Sequence, residues 1–85
     1  MTPAHRAEYF HQLTDGLTFA QGGVPSPVFF RLGREIAAGA DNGTLLTVAD
    51  HARQAADHLA ILGDDRGATA WRRLADALVR ITEKP

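Results

Sequence analysis

Three clusters of turn-forming residues divide this chain: Gly22, Gly23, Pro25 and Pro27, then Gly39, Asp41, Asn42 and Gly43, then Gly63, Asp64 and Asp65. Glycine and proline interrupt regular structure, so the clusters leave four segments of helix length. Between the breaks no run alternates apolar and polar residues as a strand requires. Connections of only a few residues favour antiparallel neighbours. The predicted fold is therefore all-α, a small up-and-down bundle of about four helices with a C-terminal helical hairpin around Gly63. The helices are expected at about 3–20, 27–38, 47–62 and 66–82, within a single domain covering 1–85.

Local signals suggest those ends. Thr2 before Pro3 reads as an N-cap with proline in the first turn, Ser26 before Pro27 repeats the signal, and Thr47 with Asp50 three residues on resembles a capping box. Gly39 and Gly63 each follow a periodic segment, as the left-handed residue that closes a helix does. Gly16 leaves the end of the first helix open: it stops there, or it continues to about Gln21 through a weakened turn.

At about 100° per residue the helix faces separate. Tyr9, Phe10, Leu13 and Leu17 fall together, opposite Glu8, Gln12 and Asp15. Val48, Ala52, Ala55, Ala56, Leu59 and Leu62 share one side of the third helix, and its alanines invite a close neighbour. The fourth helix collects Trp71, Leu74, Ala75, Leu78 and Ile81, with Arg72, Arg73, Asp76 and Arg80 opposite. Asp76 is placed to meet Arg72, Arg73 and Arg80 along its own helix, each pair contributing ~0.2–0.5 kcal/mol.

A chain of 85 residues cannot hold two cores, and 45% hydrophobic with 22% charged residues is the composition of an ordinary globular domain. The absence of cysteine removes a disulfide framework, iron–sulfur ligation and thiol chemistry, leaving packing or self-association to supply stability. A formal net charge of −1 offers no basic excess to nucleic acid or an anionic membrane. No apolar signal core follows Met1, and no stretch approaches the ~18–20 apolar residues of a membrane span, so a cytoplasmic location is expected. Arginine outnumbers lysine eight to one, a bias of GC-rich bacterial coding.

Residues able to carry chemistry are scattered. His51 and His58 share a face but lie about 10.5 Å apart along the helix, whereas one zinc ion needs both ligand nitrogens ~2.0–2.1 Å away. His11 and Asp15 have the better four-residue spacing and no third ligand. Ser26, the single serine, sits between two prolines, and Asp64 and Asp65 are acidic residues of the kind that favour a helix start. Gly22 and Gly23 lack the lysine of a phosphate-binding loop. No catalytic, metal or cofactor site is expected.

Gly63 and Asp64, followed by Ala68, Trp71 and Ala75, stand at the offsets of the second half of a tetratricopeptide unit. Residues 48–82 thus resemble a single tetratricopeptide-like helical hairpin, which implies a peptide-binding role. No second copy exists in the chain, whereas a solenoid needs about three repeats. Gly63, Asp64, Gly67 and Trp71 are also similar in spacing to short helical proteins of GC-rich bacteria, a resemblance that implies no activity. His51 occupies a bundle helix as in histidine-containing phosphotransfer domains, but Gln54 and Ala55 stand where those domains carry lysine and glycine.

Helix two holds the largest apolar excess. Val28, Phe29, Phe30, Leu32, Gly33, Ile36 and Ala37 sweep about 200°, wider than the ~100° stripe that one core contact uses. Either Phe30 and Val28 tuck under the preceding loop or against helix one, or they meet a partner or a second copy. The expected contact residues are Val28, Phe29, Phe30, Arg34, Ile61, Trp71, Arg72 and Arg73. The expected function is a non-enzymatic protein–protein interaction or regulatory protein, with a homodimer as one form. Alternatives are a nucleic-acid adaptor built on Arg66, Arg72, Arg73 and Arg80, a phosphotransfer module, and a phage-type inhibitor protein.

Overall fold

A computed structural model of the protein describes residues 2–15 and 23–83. Four helices follow one another: α1 (Pro3–Leu13), α2 (Ser26–Ala37), α3 (Asn42–Ile61) and α4 (Asp65–Glu83), with no strand among the described residues. The fold is the all-α bundle that the breaks require. Gly39 and Gly63 close α2 and α3 at φ of 93° and 84°, a backbone region that glycine enters without a Cβ penalty.

Three helix ends differ from expectation. The Thr14 hydroxyl donates to the Phe10 carbonyl at 2.8 Å and Thr14 caps α1, so the helix ends at Leu13; the expected continuation over 16–20, with Leu17, lies outside the described residues. Ser26 is the first residue of α2 rather than its cap: Pro25 occupies that position, and no side chain caps the end. The largest difference is in α3, which begins five residues before Thr47, at Asn42. Asp41 accepts the Thr44 N–H at 2.7 Å and thereby starts the helix through Gly43, which costs ~1 kcal/mol relative to alanine. Thr47 instead donates its hydroxyl to the Gly43 carbonyl inside the helix.

The helices are unequal in what they touch. α3 and α4 form the most extensive interface, α1 packs on α2 and on α4, and the α2 backbone keeps its Cα atoms more than 8 Å from those of α3 and α4. The core is built from Phe10 of α1, Phe29, Leu32 and Ile36 of α2, Leu45 of α3 and Leu74, Leu78 and Ile81 of α4, with alanines of α3 and α4 between them. Arg6 fastens α1 across this core: its guanidinium donates to Asn42 Oδ1 at 2.6 Å and to the Ile81 carbonyl at 3.1 Å. Asn42 in turn donates to the Thr82 carbonyl. A cation and an amide thus serve the orphan carbonyls at the end of α4.

Where α1 crosses α2, Gly33 is buried and a Cβ there would meet His11 Cε1 and Nε2 at 3.0 Å. The exposed His11 ring, packed edge-on to Phe10, is therefore what holds this position to glycine. Gly33→Ala adds up to ~1 kcal/mol of helix propensity but must displace that ring. Urea unfolding should show the full gain in a His11→Ala background and a smaller gain or a loss in the wild type; equal effects in both would contradict the contact.

The N–H of Thr44 donates to the Asp41 carboxylate, and with the Thr44 hydroxyl it holds Asp41 below the usual value of 3.8. A carboxyl whose value is lowered by folding contributes stability above the unfolded value, and that contribution is lost as pH falls through the folded one. The wild type should therefore lose more stability below about pH 4 than Asp41→Asn, whose cap does not titrate. Identical acid limbs in urea titrations of the two proteins would show that the cap does not act this way.

Candidate protein-interaction surface

The expected contact residues separate into distinct places. Phe29 is core: its ring lies 6.2 Å from that of Phe10, tilted by 40°, so it offers nothing to a partner. Val28 is half-buried and, with Arg31, Leu32, Glu35 and Val48, lines a groove of about 290 Å³ between α2 and α3. Phe30 points away from that core and is 68% exposed, with Arg34 exposed one turn on. It is not covered by α1. Ile61 is 82% exposed at the end of α3, and Trp71 is half-buried on α4, packed against the core.

Leu62 corrects the expected α3 face. Placed with the buried residues by its helical angle, it is 68% exposed because it is the C-cap, where the chain turns toward Gly63. Leu46 is 42% exposed, a position missed because α3 was expected to start after it. Beyond the short helices the hairpin tip is built from small residues. At 1.5 Å per residue α3 runs about 30 Å against about 16 Å for α1 and 18 Å for α2, so the far end of the hairpin extends past both. Its interior is filled there by Ala56, Gly67, Ala68 and Ala70, all buried.

Charge on α4 is arranged across helices rather than along one. Asp76 meets Arg53 of α3 at 3.7 Å, and Arg72 meets Asp57 at 3.4 Å, in place of the expected lattice within α4. The reason is register: the two pairs step four residues forward on α3 and four back on α4, which brings opposite charges level. Each such exposed pair contributes ~0–1 kcal/mol. Arg73 and Arg80, with Gln12, Leu13, Asp76 and Ala77, line an open groove of about 360 Å³ between α1 and α4. His5, His11, His51 and His58 are all exposed. Among the described residues no three His, Asp or Glu side chains gather as metal ligands would, and no helix is long and apolar enough to cross a membrane.

Compared with protein-family models, curated proteins and solved structures, the chain matches none.

Proposed function

We propose that the chain is a non-enzymatic protein–protein interaction module of regulatory type, and that the outer edge of α2 is the surface it offers. The exposure of Phe30 carries this reading. A phenylalanine 68% exposed beside an exposed arginine joins the two residue types enriched where binding energy concentrates. Single exposed apolar residues are common on any protein, but here an aromatic ring stands free on a helix whose other face already fills the core. The nucleic-acid alternative is weaker, because Arg72 is engaged by Asp57 and Asp76 lies between Arg73 and Arg80.

Two measurements test the reading. Phe30→Ala should leave stability within ~0.5 kcal/mol of wild type, as exposed substitutions do, whereas Phe10→Ala should cost ~3–5 kcal/mol. Tagged wild-type protein should retain a stoichiometric companion from its native cells, and Phe30→Glu, folded by circular dichroism, should lose it. A companion held equally by both proteins would contradict the α2 surface, and no companion at all would contradict the module.

A further inference from the structure

The outer face of the α3–α4 hairpin carries an acidic row on α3 and a basic row on α4, the basic row at the edge that borders the groove with Gln12 and Leu13 of α1. Asp50 and Asp57 stand seven residues apart on α3 and are well exposed. Arg73 and Arg80 stand seven apart on α4, exposed, and neither has an ion pair or hydrogen bond among the described residues. Seven residues make two turns, so each row places its charges about 10.5 Å apart on one side. Relative to the seam residues Arg53 and Asp76, each row lies about 40–60° further round its helix. Because the helices run in opposite directions, those rotations turn both rows to the same outward side.

We propose that this face binds a second copy of the chain about a two-fold axis parallel to the helices. Such an axis keeps every residue at its height and lays α3 of one copy over α4 of the other. With Arg53 level with Asp76 and Asp57 level with Arg72, Asp50 stands one residue from the height of Arg80 and Asp57 one residue from that of Arg73. Asp50 therefore faces Arg80 of the second copy, and Asp57 faces its Arg73. An isologous interface repeats each contact, so the free guanidiniums of both copies gain carboxylates at matched spacing. Leu46 and Ile61 flank the acidic row and come down over the two ends of the second copy's α4, covering two of the four large apolar side chains left exposed among the described residues. The face measures about 30 by 20 Å, or about 600 Å² per copy, below the ~800 Å² of a standard stable interface. The dimer is accordingly weak, salt-sensitive and visible at high concentration. It leaves Phe30 free, so it stands independently of the α2 surface.

The test is a charge exchange read by sedimentation equilibrium at ~0.05–1 mM protein and ~20 mM salt, with folding followed by circular dichroism. Wild type should approach twice the 9.2 kDa monomer mass at the upper concentration and return to monomer at ~500 mM salt. Asp50→Arg/Asp57→Arg and Arg73→Glu/Arg80→Glu should each be monomeric alone, and their equimolar mixture should restore the dimer, because every facing pair is again of opposite sign. Phe30→Glu should dimerise as wild type does. If either reversal unfolds, the milder Asp50→Asn/Asp57→Asn protein should weaken association at least fivefold. Wild type monomeric at 1 mM, a dimer indifferent to these changes or to salt, or a mixture that stays monomeric would overturn the proposal.

Discussion

Side chains as short as alanine let two helices pack closely, and α3 and α4 form the most extensive helix pair of the fold. Three of the four buried residues of α3 are alanines, Ala49, Ala52 and Ala56 beside Leu45, while Gly67, Ala68 and Ala75 are among the buried residues of α4. Dispersion contacts grow with close approach, and alanine loses no rotamer freedom on burial. A long hairpin with little bulk inside it is the platform on which the larger residues are stacked. Leu74, Leu78 and Ile81 rise from one side of that platform and meet Phe10, and Phe10 meets Phe29.

The other helices are added in series. α1 rests on α4 and is held at one end by the Arg6 guanidinium, and α2 rests chiefly on α1 through the gap that Gly33 leaves for His11. This order accounts for where apolar surface remains. Among the described helices α2 has one close neighbour, α1, and on its wide apolar arc Phe30 stays outside. Ile61 stays outside because it lies on the outer side of α3 beside Asp57, and Leu62 because the chain turns there toward Gly63.

Much of this fold is legible in the sequence, because glycine and proline mark the breaks and helical periodicity marks the faces. Gly39 and Gly63 stop helices in a backbone region that glycine enters without a Cβ penalty, and four of the five residues of the expected α4 stripe, Leu74, Ala75, Leu78 and Ile81, are buried while Trp71 is half-buried. The start of α3 was harder. Asp41, Asn42 and Gly43 read as a turn by composition, yet one carboxylate accepting one N–H turns the same residues into a helix start. Surface pairing was harder still. The partners of Arg72 and Asp76 depend on which residue of α3 lies level with them, and no local pattern contains that register. Phe30 illustrates the division: periodicity shows that the arc of α2 is too wide for one contact and puts Phe30 at its edge beside Arg34, while three dimensions show that Val28 and Phe29 are drawn inward and Phe30 is not.

If the alanine-lined hairpin is the platform and α2 its outermost addition, the amides should exchange with solvent in that order. Native-state hydrogen exchange under low denaturant reads this directly, because each amide reports the free energy of the opening that exposes it. The amides of Ala52, Ala56, Leu74 and Leu78 should exchange only through global unfolding, while those of Leu32 and Ile36 exchange through a cheaper opening that releases α2 alone. Amides of α2 as slow as those of α3 and α4, merging into one isotherm with them, would contradict the account.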